Sequence, residues 1–534
     1  MSPAVRRVGP ITLLVLLIPS AAYLWLHDDV PNFCAFHDDC VYFVSAKSLA
    51  TDSGYRIESL PGQPAQTKYP PVFPMLLSIA WRIDPEFPRN LPIAAWISWL
   101  AIPATLAAFS AILASLGITG GRALLVLAVF ALNPYTIWFG SQLLSEPLFV
   151  AMTMVVFLML ERTVKPGNSA NWALAVGIGA GLVYLTRTAG IALLPVALLY
   201  IWRKAGPKTR LDATLRFAAG MLPFVIGWTI WGHAHRLATT DPMFTYYTDY
   251  LAYEFTNVGL SNLHLVLWKN ADGLLWGLGS LLVPKFTTSL ALKILAEAIA
   301  VAMISGVIRM LRQGYGQLYA LFAVVYAAML VLWHYPPDER FVFPLFPLGL
   351  VGLVYEGEHV LKMLQTGLRA PDAGNRIVAR GMIAVLGLMA VGVAALEVYV
   401  SAVIQPDNAV QHRLRNAQFL AADQWLIQNT PRDAPILSNE DPALHLYTGN
   451  PVIRRSLLTR LLYAEDHSGI VDLWSHLGAV AKERGLKYVY WINTDYSLPV
   501  RLEDLEVLAA AHQADPALQQ VYRNDCVTIY RVLD

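Results

Sequence analysis

The sequence predicts a polytopic α-helical membrane protein that carries a small α/β domain at its C-terminal end. Three observations predict it. Of 534 residues, 56% are hydrophobic and only 14% charged, where a soluble domain carries about a quarter charged residues. Eleven apolar runs approach the ~20 residues that a helix needs to cross the hydrocarbon core. From about residue 406 the composition becomes that of a soluble domain.

Taken in order, Arg6-Arg7 and the apolar run Ile11 to Leu26 imitate a secretory signal, but no small-residue cleavage site precedes Asp28. The run therefore reads as a retained first helix with a cytoplasmic N-terminus. The spans expected are 9–27, 91–116, 122–140, 145–162, 171–187, 188–203, 211–234, 289–311, 317–334, 341–361 and 381–403. The apolar piece 72–83 is too short to span and opens on prolines, so it is expected to lie in the outer interface. That choice places Arg122, Arg162 with Lys165, the cluster 203–210, Arg309 with Arg312, and 362–380 on the side of Arg6 and Arg7, as the cytoplasmic excess of Lys and Arg requires. Its cost is that Arg82 and Arg89 fall outside. The C-terminus is then extracytoplasmic, in the plasma or inner membrane.

The domains expected are a transmembrane domain 1–403, with a first outer loop 28–90, and an extracytoplasmic α/β domain 404–534. Within the latter, 411–428 has helical periodicity, Pro435-Ile436-Leu437 and 487–492 read as buried strands, 471–484 as a helix and 527–532 as a last strand. A net charge of +1 supplies no basic field for nucleic acid, and no zinc-finger or helix-turn-helix spacing occurs. Cys34, Cys40 and Cys526 form neither a metal pattern nor an even disulfide framework. A Cys34–Cys40 bridge and free thiols both stay open.

Polar chemistry gathers on the expected outer side. Asp38 and Asp39 stand about ten residues past the first run, and acidic groups that close to hydrocarbon are hydrated, paired or used. Adjacent helical residues point about 100° apart, so one carboxylate can act as a base while the other assists. The competing reading is that one of them caps the helix beginning near Cys40. Lys68-Tyr69-Pro70-Pro71 re-enters apolar sequence; Lys68 could neutralise a phosphate, or with Tyr69 anchor the interface. Glu146 in Ser145-Glu146-Pro147 reads equally as part of a helix start. Arg187 is a cation at a span edge that snorkelling also explains. The turn 334–340 presents His334, Glu339 and Arg340 at the outer surface, with the Arg340 fork the better match to an anion; Glu339 could instead pair with it.

Together these residues resemble the GT-C superfamily of polyprenyl-phosphate-sugar-dependent glycosyltransferases, in particular the branch with protein O-mannosyltransferases and the aminoarabinose transferase of lipid A. The resemblance lies in Asp38-Asp39-x-x-Tyr42 with Ala46 and Leu49-Ala50, in Gly54-Tyr55, in Lys68-Tyr69-Pro70-Pro71-Val72-Phe73-Pro74, in Ser145-Glu146, and in Glu339-Arg340 ahead of Pro344 and Pro347. It covers the layout of 1–403.

The resemblance implies a GT-C-like fold with interfacial helices in the first outer loop. It also implies transfer of a sugar, with inversion, from a polyprenyl-phosphate carrier to a hydroxyl of a glycan, lipid or protein on the extracytoplasmic face. Asp38 would be the base, with Asp39 beside it as the alternative, since the aminoarabinose branch often has Glu at that place. Lys68 and Arg340 would hold the donor phosphate, supported by Tyr42, Tyr69, Glu146, His334 and Glu339. No cofactor is implied; His37, Asp38, Asp39 and Glu146 could share a divalent cation, but no spacing demands one and no structural metal is expected. Two other readings compete. A transporter or flippase of a lipid-linked precursor would place its polar residues near the midplane, and a non-catalytic envelope-assembly protein would tolerate loss of Asp38.

Overall fold

Helix forms at each of the eleven apolar runs, because a backbone in hydrocarbon has only itself to bond to. The computed structural model describes residues 8–165, 171–286, 289–493 and 501–533, so Arg6 and Arg7 lie outside the described residues. Five helices among these are long and apolar enough to cross a membrane: Leu91–Ser115, Arg210–His235, Leu290–Arg312, Glu339–Leu368 and Ala373–Asn429. A bent pair, Gly120–Leu132 and Pro134–Ser141, makes a sixth. The other expected spans fall on shorter or more polar pieces, namely Pro10–Leu26, Ser145–Thr163, Asn171–Thr186, the turn and helix Thr188–Ala192 and Leu193–Lys204, and Gln317–Leu332. Many apolar side chains point outward, Leu388 at 74% and Leu290 at 71% exposure among them. Such faces are stable against lipid and not against water, and the chain is a polytopic membrane protein.

The chain forms two compact units. One comprises Met1–Leu26, Ser98–Ile226 and Trp268–Asp407; the other His27–Ile97, Gly227–Leu267 and Asn408–Asp534. These units are discontinuous: the one that holds Asn408–Asp534 also takes in the first loop and a middle segment, whereas the sequence divides simply at 403/404.

In the first unit, Asn133 breaks the bent pair. Its side chain accepts the N–H groups of Tyr135 and Thr136 at 3.0 and 3.2 Å, and Pro134, which lacks an N–H, starts the next helix at 51° to the last. Helices Leu290–Arg312 and Phe346–Leu368 meet through Gly306 and Gly352: a Cβ on Gly306 would lie 1.8 Å from the Gly352 carbonyl oxygen. Only hydrogen permits that approach. At one end of this unit Arg122 pairs with Glu358, Arg309 with Glu356, and Tyr319 bonds Glu161.

In the second unit a five-stranded sheet runs in the order β2-β1-β3-β5-β4, with β1 Ile436–Ser438, β2 Val452–Ile453, β3 Tyr488–Ile492, β4 Leu518–Arg523 and β5 Val527–Val532. The first three strands are parallel and β5 is antiparallel to both neighbours. Ile436, Val452, Ile492, Val527 and Ile529 pack with Ala422, Leu426 and Leu444 from the flanking helices. The helix expected over 471–484 is two, His467–Ser475 and Leu477–Glu483. Long-range bonds tie the other segments to this domain: Val452 N–H reaches the Ser59 carbonyl at 2.7 Å, Arg413 pairs with Asp29 at 2.6 Å, and Arg484 with Asp241 at 2.9 Å. The apolar piece at 72–83 is the helix Val72–Ile83.

Candidate active site

The helix Asp38–Ala50 starts one residue after His37, whose φ of 59° turns the chain abruptly. Neither aspartate caps it. Both occupy its first turn, where the exposed N–H groups favour negative charge, and the residue at the cap is His37, which makes no side-chain cap bond. Their side chains then diverge as adjacent helical positions must. Asp39 is fully buried and turns back to accept the Cys34 N–H at 2.7 Å. Asp38 is half-buried and accepts the hydroxyl hydrogen of Tyr69. Cys34 and Cys40 are joined in a disulfide that closes the chain around both aspartates, while Cys526 is free.

Lys68 and Tyr69 are held from several directions. The Gln66 side-chain oxygen accepts both of their N–H groups at 3.0 and 3.2 Å, and its amide donates to Ser45 at 2.9 Å, on the helix that carries Asp38. The Tyr55 hydroxyl donates to the Tyr69 carbonyl at 2.8 Å. Tyr42 is buried with its ring edge-on to Tyr69 at 4.8 Å and to Phe73 at 5.2 Å. Trp231, from the middle segment, donates to the Gln66 carbonyl at 2.9 Å. The prolines after Tyr69 have no N–H to satisfy, which suits a segment whose carbonyls are already engaged.

The middle segment supplies a tyrosine cage. The Lys68 ammonium lies 3.5 Å from the Tyr246 ring centroid, 4.3 Å from Tyr250, 5.2 Å from Tyr69 and 6.0 Å from Tyr247. Aromatic faces favour a cation there, but burial works against it and brings the ammonium down to about 7 although Asp38 and Glu254 pull it up. Glu254 is itself pushed up to about 7 by burial, with Thr459 donating to it. The C-terminal segment adds Arg454, 5.7 Å from the Tyr246 ring, and Asp441. Asp441 is fully buried; it pairs with His37 at 2.9 Å and accepts the Tyr247 hydroxyl. Burial lowers His37, Arg454 lowers it further, and Asp441 opposes both.

Of the residues singled out in the sequence, Asp38, Tyr42, Lys68 and Tyr69 therefore come together in this unit. A second cluster forms in the other. Glu146, fully buried, binds Arg340 and also Arg187 at 2.6 Å, and Arg187 reaches the Ser145 hydroxyl at 3.0 Å. Arg340 is not presented at a surface: its side chain is 7% exposed, and it sits on the short helix Glu339–Val342 that Asp338 caps. Glu339 does not pair with Arg340. It takes Lys285 at 2.8 Å and the Ser280 hydroxyl at 2.7 Å. His334 is buried, not presented at the surface. Among the described residues no three His, Cys, Asp or Glu side chains gather as a metal site would need.

Sequence reasoning missed His37 as a partner, Tyr246, Tyr247, Tyr250, Glu254, Asp441, Arg454 and Lys285. The run Tyr246-Tyr247 with Tyr250 and Tyr253 in a polar stretch was a usable signal. Asp441 carried none.

No protein-family profile and no curated protein sequence matches the chain. Among solved structures it is similar to ArnT from Cupriavidus metallidurans bound to undecaprenyl phosphate, with 13% identity, 96% of this chain and 97% of that chain covered, and a TM-score of 0.47. It is similar also to the arabinofuranosyltransferase AftD from Mycobacteria, with 15% identity, 99% and 40% covered, and a TM-score of 0.45. A third is the oligosaccharyltransferase AglB from Archaeoglobus fulgidus in complex with an inhibitory peptide and a dolichol-phosphate, with 13% identity, 85% and 65% covered, and a TM-score of 0.42. At these scores the likenesses identify neither a substrate nor a residue role in this chain.

Proposed function

We propose that this protein is a membrane glycosyltransferase of the GT-C type, which moves a sugar from a polyprenyl-phosphate carrier to an acceptor hydroxyl on the extracytoplasmic face. The observation that carries the reading is the pairing of a half-buried carboxylate, Asp38, fixed by Tyr69, with a caged cation, Lys68, one residue from Tyr69. The Cys34–Cys40 bridge supports an oxidising, extracytoplasmic setting for that loop.

In this scheme the acceptor oxygen attacks the anomeric carbon from the face opposite the phosphate. The new C–O bond forms as the old one breaks, its electron pair goes to the phosphate oxygen, and the acceptor proton goes to the Asp38 carboxylate. Configuration inverts. Lys68 stabilises the charge that grows on the leaving phosphate, help that is strongest when already in place. Asp39 holds the turn through Cys34. Arg340 holds Glu146 with Arg187 and is not assigned to the phosphate. No step uses a metal.

The test is the purified protein in lipid nanodiscs with a panel of synthetic polyprenyl-phosphate monosaccharides, following release of free polyprenyl phosphate by mass spectrometry. Release by the wild type that is lost in Asp38→Asn is expected. No release from any donor, with no binding of the carrier, would overturn the reading.

A further inference from the structure

His37 stands immediately before Asp38 in a backbone conformation uncommon for a non-glycine residue, φ 59° and ψ −44°, and such outliers persist only where surrounding contacts enforce them. The contacts here are specific. His37 Nε2 lies 2.9 Å from Asp441 Oδ1, the Tyr247 hydroxyl donates to Asp441 Oδ2, and the same hydroxyl lies 3.4 Å from Nε2. The His37 carbonyl accepts the Val41 N–H at 3.2 Å, so the residue whose ring is gripped also begins the helix that carries Asp38.

Asp441 is 0% exposed. It opens the helix Asp441–Thr448 directly after β1, at the carboxyl end of a parallel strand, the edge where open α/β sheets place their functional groups. A buried carboxylate is tolerated when its oxygens are bonded, and both oxygens of Asp441 are bonded to residues far from it in sequence. The groups facing His37 are Asp441, Tyr246, Tyr247, Arg454 and Lys68.

Resting on the reading of Asp38 as the base, we propose that Asp441 is a positioning residue for it. Through the His37 ring it sets the turn from which Asp38 projects, so the C-terminal segment is a working part of the transfer site and not a cover over it.

The experiment uses the full-length protein with a donor that the wild type turns over, and measures turnover at saturating donor separately from affinity for polyprenyl phosphate. Asp441→Asn keeps the shape but replaces one acceptor oxygen by an amide donor, and should lower turnover about tenfold or more while carrier affinity stays within about threefold. His37→Ala should do the same. The double variant should be no worse than either single, as expected of residues acting through one contact, and His37→Gln, which still offers an N–H to Asp441, should recover part of the loss. Wild-type turnover in a folded Asp441→Asn protein, or losses that simply multiply in the double variant, would overturn the inference and leave the transferase reading intact. A wild type that transfers from no donor would remove that reading, and this inference with it.

Discussion

Tyr69 donates its hydroxyl hydrogen to Asp38, while Asp39, one residue on, is turned inward to the Cys34 N–H. The two neighbouring carboxylates thus do different work, and substitution should separate them. Asp38→Asn should lower turnover by about 10²-fold or more with little change in thermal stability. Asp39→Asn should act mainly on stability, by about 1–3 kcal/mol, because the part-buried Cys34 N–H loses its charged acceptor. Turnover and unfolding temperature, measured on both, check the division; the opposite pattern would exchange their roles.

Lys68 should give donor binding a pH dependence of definite sign. Its ammonium is brought down to about 7 in the folded protein, and only the charged form attracts a phosphate. Donor affinity should therefore weaken as pH rises through about 7, by up to about tenfold per unit, with one proton taken up on binding. Lys68→Arg stays charged throughout and should flatten the profile. The same depression means that the unfolded chain holds this proton between about 7 and 10.5 while the folded one does not, so this group makes folding more favourable with rising pH over that window. Carrier affinity measured between about pH 6 and 9 on both proteins decides it; a flat wild-type curve would remove Lys68 from the phosphate.

Glu146 lies between Arg187 and Arg340. Arg340→Ala leaves the carboxylate one cation, so it should cost less than Glu146→Gln, which strips a buried anion from two guanidinium groups and should cost about 3–5 kcal/mol. Thermal unfolding in detergent ranks them. If Arg340→Ala keeps wild-type stability but abolishes carrier binding, Arg340 belongs to the phosphate after all.

Much of this was legible from local sequence. The apolar runs located the helices, and the strands at 436–438, 488–492 and 527–532 announced themselves as short apolar segments. Asp38 and Lys68 stood out because a charge beside hydrocarbon is conspicuous at any single position. The surface placement expected for Arg340 and His334 does not hold, since both are buried and a turn between spans looks exposed until the partners that bury it are known. Glu146 lies 194 residues from Arg340, and Lys285 lies 54 residues (339 − 285) from Glu339.

By itself, then, the sequence determined that this chain crosses a membrane, that it carries an α/β domain after the spans, and that an aspartate pair and a Lys-Tyr-Pro-Pro segment lie in its first outer loop. Those properties follow from hydropathy and helix starts, which act over one or a few turns. Only the tertiary structure decided that Asp39 faces inward and Asp38 does not, that Lys68 sits among tyrosines, and that Asp441 grips His37 across 404 residues. A buried charge must find its partner wherever the folded chain brings one, and the cost of leaving it alone constrains three-dimensional neighbours without marking their distance along the sequence.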